Sequence, residues 1–139
     1  VDDQTQIFIG NQGDREFWRK FRQQVPEVDI LIDDGGHVPE QQIVTFEEML
    51  PHLRPDGVYI CEDVGKAGNP FSTFVHQLAD HLNEYYIHEA IVKCTPCQQA
   101  LQSVHLYPFA AVIQKNDRLV RGLACEKHGT QWQPFFEAL

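Results

Sequence analysis

The stretch that most constrains the fold is VDILIDDGGH, residues 28–37. An uninterrupted apolar run followed by a glycine turn is typical of a buried parallel strand that ends at a binding site. In open α/β sheets the ligand crevice lies beyond the carboxyl ends of the strands. We therefore expect Asp33, Asp34 and His37 to lie at the mouth of a crevice.

A second apolar run, VYICED at residues 58–63, also ends in two carboxylates. If the two strands are parallel neighbours, about 4.8 Å separates them, so Asp34, Glu62 and Asp63 can share one ion. Carboxylates suit Mg²⁺, which takes hard oxygen ligands, whereas cysteine and histidine dominate zinc sites. A neutral His37 imidazole could accept a proton from a substrate hydroxyl held by the metal.

The alternative for these acids is structural. Aspartate at the end of a strand is often a helix cap or a turn residue, and Glu62 and Asp63 could simply be solvated. Each residue taken singly favours that interpretation. Two strands that both end in paired acids, one of them followed by GGH, favour a site.

Strand and helix patterns alternate along the chain, which predicts an α/β fold with a mostly parallel, doubly wound sheet and helices on both faces. The hydrophobic spacing predicts strands at residues 6–10, 28–32, 58–61, 103–107 and 110–115, and helices at residues 14–24, 39–53 and 71–86. Asp14 is the expected N-cap of the first helix, and Pro39 suits the first turn of the second. Because Pro108 and Phe109 separate the last two strands, we expect an antiparallel hairpin at the edge of the sheet.

Composition limits the classes of function. A chain of 139 residues with 42% hydrophobic residues makes one domain with a core, and its net charge of −9 argues against a nucleic-acid surface. No apolar run is long enough for a membrane span, and the opening VDDQTQ is unlike a signal peptide. Four cysteines do not make a secreted disulfide framework, so we expect a cytoplasmic protein.

Three cysteines and a histidine form a second candidate site. Cys94 and Cys97 make C-x-x-C, and Cys125 and His128 make C-x-x-H, which together are a possible zinc pattern. The alternatives are cysteines without a ligand role and a redox pair, although CTPC does not open a helix as thioredoxin-like sites do.

The segments DILIDDGGH and PHLRPDGVYICEDV, with the hairpin SVHLYPFAAVIQK, resemble class I S-adenosylmethionine-dependent methyltransferases. More narrowly, they resemble the metal-dependent sugar O-methyltransferases that act on macrolides and the related cephalosporin-hydroxylase-like group. The resemblance implies a Rossmann-like fold, S-adenosylmethionine and Mg²⁺ as cofactors, and a small-molecule hydroxyl as substrate. By position it implies Asp34, Glu62 and Asp63 as metal ligands and His37 as general base.

The cofactor half of that family is only partly present. No G-x-G occurs in the chain, so residues 1–139 are expected to be the C-terminal part of the domain, without its first two strands. The resemblance places Asn11, Gln12 and Asp14 near the adenine and Asp33 near the methionine end. Because bare sheet edges promote association, we expect a homo-oligomer. The alternative to an O-methyltransferase is a degenerate or partial fold that serves as a non-catalytic interaction module.

Overall fold

The computed structural model describes residues 4–65, 68–84, 86–88 and 91–118. In chain order the elements are α1 (Arg15–Gln24), β1 (Val28–Asp33), α2 (Pro39–Met49), β2 (Leu53–Cys61), α3 (Pro70–Asn83), β3 (Tyr86–His88), β4 (Ile91–Lys93), α4 (Pro96–Ala100), β5 (Leu101–Tyr107) and β6 (Ala110–Lys115). Strands β3 and β4 form a separate two-stranded sheet. Within these ranges, none of the helices combines the length and the apolar character needed to cross a bilayer.

The main sheet has the order β1-β2-β6-β5 and is mixed. Strand β1 pairs with β2 in parallel, whereas β6 is antiparallel to both of its neighbours, β2 and β5. Three of the four strands therefore run in one direction. The expected α/β fold and the antiparallel hairpin are confirmed, but β6 lies inside the sheet, and β5 takes the edge.

Local chemistry explains where the elements begin and end. The Asp14 carboxylate accepts from the Glu16 N–H and so caps α1, as expected. Helix α2 ends at Met49, earlier than predicted, and a 3₁₀ turn at Leu50–His52 follows. Pro51 lies in that turn and has no backbone N–H, so it cannot continue the α-helical ladder. Residues 54–57, which lie between the predicted helix and the predicted strand, belong to β2 and contain an irregularity, where Asp56 has a φ of 67°.

The prediction of a strand at residues 6–10 is wrong. That segment has no strand pairing in the described part of the chain, and Ile7 and Ile9 are 69% and 94% exposed. A β-strand needs a neighbouring strand to satisfy its backbone groups. Among the described strands of the main sheet, β1 pairs on one side only, with β2.

The core lies on one face of the main sheet. Side chains of α2 and α3, among them Phe46, Phe71 and Val75, pack against Tyr59 and Ile113 of the sheet. Helix α1 lies beside α2, linked by ion pairs from Arg15 and Arg22 to glutamates of α2. On the opposite face, Ile30 and Ile32 of β1 are 61% and 58% exposed, so the expected second helical layer is not seen among the described residues.

Candidate functional site

Three polar side chains meet where β1 and β2 end. The β1–β2 register pairs Asp33 with Cys61, so the residues after both strands emerge side by side. His37 Nε2 lies 3.8 Å from Asp34 Oδ1 and 3.6 Å from Asp63 Oδ2. One ligand atom from each of these residues lies within 4.8 Å of the others, and all three side chains are exposed. We call Asp34, His37 and Asp63 the strand-end cluster.

Two members of this cluster have an unusual backbone conformation. His37 and Asp63 have φ values of 50° and 53°, in the left-handed region that residues other than glycine seldom adopt. Such strain costs about 1–3 kcal/mol per residue and often occurs at functional sites. At Asp63 the left-handed conformation turns the chain directly after the end of β2.

Asp33 has a different role from its neighbour Asp34. It is 5% exposed, and its carboxylate accepts from Gln12 Nε2 at 2.5 Å and from the Tyr59 hydroxyl at 2.8 Å. Burial raises the pKa of the Tyr59 phenol, and the negative charge of Asp33 raises it further. The phenol therefore remains a hydrogen-bond donor to the carboxylate.

Gln12 connects the loop before α1 with the turn after β1. Its amide nitrogen donates to Asp33, and its amide oxygen accepts from the Gly36 N–H at 3.0 Å. The Trp18 indole N–H donates to the Gln12 carbonyl at 2.8 Å. Both hydrogen-bonding ends of the Gln12 side chain are therefore engaged within the protein.

A cavity of about 280 Å³ lies beside the strand-end cluster. Its walls include the aromatic rings of Phe17 and Trp18 and the polar side chains of Gln12, Asp33 and Thr45. The Thr45 hydroxyl is buried and has no hydrogen-bond partner among the described residues.

The other predicted site residues lie apart from the cluster. The Glu62 N–H donates to the Asp33 carbonyl at 3.0 Å, but its exposed side chain is not among the three that converge. Asn11 Oδ1 accepts from the Gly13 N–H and from Gln41 Nε2, while Asp14 caps α1. The metal role of Glu62 and the cofactor roles of Asn11 and Asp14 stay predictions.

The described cysteines have buried surroundings. Cys94 is 3% exposed, and the half-buried Cys97 thiol donates to the Leu78 carbonyl of α3 at 3.3 Å, with its pKa raised by burial. Cys125 and His128 lie outside the described residues, so the zinc pattern stays a prediction. The C-x-x-C segment does begin a short helix: α4 contains Cys97 and is capped by Thr95.

Sequence reasoning missed Tyr59 and the hydrogen bonds that occupy Gln12. Tyr59 lies in the middle of an apolar strand, where a buried hydroxyl needs a partner. That signal predicts a polar neighbour without identifying Asp33, because the partner depends on the register between β1 and β2.

Curated relatives of this chain are methyltransferases of natural-product sugars. The chain is 38% identical over 58 residues to the mycinamicin VI 2''-O-methyltransferase of Micromonospora griseorubida, covering 42% of this chain and 14% of that protein. It is 27% identical over 120 residues to the 8-demethyl-8-alpha-L-rhamnosyl tetracenomycin-C 2'-O-methyltransferase of Streptomyces olivaceus, covering 77% of this chain and 32% of that protein. No family profile matches the chain.

A solved structure shares the fold. MycE methyltransferase from the mycinamycin biosynthetic pathway, in complex with Mg and SAH, superposes with a TM-score of 0.66 and 23% identity over 78% of this chain and 32% of that chain. The chain thus spans about a third or less of the length of these proteins. The chain is thus similar in sequence to O-methyltransferases, and it shares its fold with MycE methyltransferase.

Proposed function

We propose that this chain is part of an S-adenosylmethionine-dependent, Mg²⁺-assisted O-methyltransferase domain that acts on a hydroxyl of a sugar or another small natural product. The observation that carries the proposal is the strand-end cluster, where Asp34, His37 and Asp63 converge. The named activities of the relatives and the Mg and SAH bound to MycE support the same assignment.

The donor set suits Mg²⁺. Asp34 and Asp63 offer hard carboxylate oxygens, and their side chains are 61% and 67% exposed. This exposure leaves positions for water and substrate oxygens, which Mg²⁺ usually retains in its coordination shell. When bound, Mg²⁺ fixes the acceptor hydroxyl and lowers its pKa. Glu62, next to Asp63, is a further proposed ligand from the family resemblance.

His37 acts as general base in this proposal. Its Nε2 faces both carboxylates, which stabilise the imidazolium after it accepts the hydroxyl proton. The side chain is 40% exposed, so an acceptor hydroxyl can reach it. Asp34 and Asp63 would hold the cation, which would orient the acceptor and neutralise the negative charge that develops on its oxygen. Orientation and electrostatic stabilisation are the two main sources of rate in such a transfer.

The cavity beside the cluster is the proposed contact region for S-adenosylmethionine. Its volume of about 280 Å³ is near the lower end of small-molecule sites, so it fits part of the cofactor. Phe17 and Trp18 supply apolar walls, and Gln12 is among the polar residues that line the cavity. Asp33 and Asp34 both line this cavity, which supports the predicted position of Asp33 near the methionine end.

A calorimetric Mg²⁺ titration of this chain tests the proposal. We expect saturable binding in the wild type and a loss of at least about tenfold in affinity in Asp34→Asn, because a charged ligand is removed. Asp29→Asn is the matched control, since Asp29 is an exposed carboxylate on the same strand, ion-paired with Arg54. His37→Ala should keep the binding and abolish turnover in an enzyme that contains this segment.

An interaction module without chemistry is the second candidate. The exposed Ile30 and Ile32 side chains favour it, because large apolar groups adjacent on a sheet often mark an interface, including one between copies of this chain. If the folded wild type binds no Mg²⁺, or if Asp29→Asn weakens binding as much as Asp34→Asn does, the metal-dependent proposal fails. The module would then be favoured.

A further inference from the structure

We propose that Gln12 is a positioning residue that fixes the turn of the strand-end cluster for cation binding. This inference rests on the proposed function, since it assumes that Asp34 and Asp63 hold the cation next to His37. The family resemblance placed Gln12 near the adenine, but its side-chain contacts assign it to the turn after β1.

A single amide holds both flanks of Asp34. Gln12 Nε2 donates to Asp33, which precedes Asp34, and Gln12 Oε1 accepts from Gly36, which precedes His37. Asp34 is therefore enclosed between two anchored positions, and His37 directly follows the second. The positions of Asp34 and His37 therefore both depend on neighbouring residues that the Gln12 side chain restrains.

The turn needs such a restraint because of its composition. Gly35 and Gly36 can adopt many backbone conformations, so an unrestrained turn would lose much entropy on binding an ion. A Cβ at Gly35 would lie 2.4 Å from Gln12 Oε1, so glycine is what lets the Gln12 amide approach the backbone. Gly35 and Gln12 thus form one fitted contact.

Gln12 is itself held in place. The Trp18 indole fixes its carbonyl, and the Tyr59 hydroxyl fixes the second oxygen of Asp33, its partner. Trp18 belongs to α1 and Tyr59 to the buried face of β2, so the amide connects the flexible turn to two rigid elements. Outer contacts of this kind typically change metal affinity by about 10- to 100-fold.

Mg²⁺ calorimetry on Gln12→Ala, with Gln24→Ala as control, tests this role. Gln24 is a glutamine of α1 whose amide donates to the Lys20 carbonyl of the same helix, and its side chain is not among the groups next to Gly35 or Gly36. We expect Gln12→Ala to weaken Mg²⁺ binding about tenfold or more and Gln24→Ala to change it less than about threefold. Thermal unfolding of each variant confirms that the comparison is made on folded protein.

Amide hydrogen exchange separates local positioning from general loosening. In Gln12→Ala we expect faster exchange of the Gly36 amide, while the Glu62 amide, which donates to the Asp33 carbonyl, keeps its protection. Equal loss of protection at both amides, or unchanged Mg²⁺ affinity in Gln12→Ala, overturns the inference and leaves the proposed function intact. Absence of Mg²⁺ binding by the wild type overturns the proposed function and with it this role.

Discussion

Replacing Tyr59 with phenylalanine removes one hydroxyl from the centre of the fold and leaves the ring in place. Tyr59 is fully buried, and its ring packs edge-on against Phe46 at 5.3 Å between centroids, a contact that phenylalanine retains. The hydroxyl donates to Asp33 Oδ2 at 2.8 Å. The substitution therefore deprives a buried carboxylate of one of its two side-chain donors, the other being Gln12.

The expected cost follows from the charge of the acceptor. A hydrogen bond to a charged group contributes about 1.5–3 kcal/mol to the free energy of unfolding. Removing the donor while the charged acceptor stays buried should therefore lower the free energy of unfolding by about that amount. Against the 5–15 kcal/mol typical of a domain, this is a large fraction of the free energy of unfolding. Urea denaturation should show a lower midpoint with an unchanged m-value, because the surface exposed on unfolding is the same.

A double-mutant cycle with Asp33→Asn assigns the loss to this pair. If the hydroxyl acts through the carboxylate, the combined variant should lose clearly less than the sum of the two single variants. A loss below about 0.5 kcal/mol in Tyr59→Phe, which is the scale of an ordinary surface substitution, would refute the reasoning. Strict additivity of the two substitutions would do the same.

Two further predictions concern pH and packing. Burial, with a smaller effect from nearby negative charge, raises the pKa of the Cys61 thiol from 9.0 to about 12. The neutral thiol therefore contributes stability that is complete below about pH 9 and is lost as the pH rises toward 12. The free energy of unfolding should fall over this range by at most about 1.4 kcal/mol per pH unit. Cys61→Ala should flatten the stability curve over that range, and parallel curves for wild type and variant would contradict this. Gly57→Ala should cost about 1–3 kcal/mol, because the new Cβ would lie 2.8 Å from the Arg54 carbonyl and 3.1 Å from that of Asp29. Gly65→Ala is the control, since its Cβ would be 3.8 Å from its nearest neighbour, and chemical denaturation showing equal losses would contradict the steric explanation.

Much of the secondary structure could be predicted because its signals are local. The apolar run of β1, the Asp14 cap of α1 and the Pro108 turn between β5 and β6 each depend on a few adjacent residues. The strand prediction at residues 6–10 fails for the converse reason. An apolar segment has strand propensity, but it becomes a strand only when a neighbouring strand supplies hydrogen bonds.

The candidate site could be predicted in its chemistry but only partly in its geometry. Two strands that end in acids indicate that carboxylates gather at one edge of the sheet, and Asp34 and Asp63 do meet there with His37. Which acid faces inward was not predictable. Asp33 and Asp34 are adjacent in sequence, yet one is buried against Tyr59, and the other is exposed.

The sequence by itself determined helices α1 to α3, the four strands of the main sheet, their order along the chain and the residue types at the two strand ends, because these follow from local periodicity and composition. The tertiary structure alone decided that Asp33 is held by Gln12 and Tyr59 while Asp34 joins Asp63. The physical reason is that side chains alternate between the faces of a strand, so the direction of each carboxylate depends on register. The register between β1 and β2 joins residues that are far apart in the chain, such as Asp33 and Cys61, so a local sequence pattern cannot predict it.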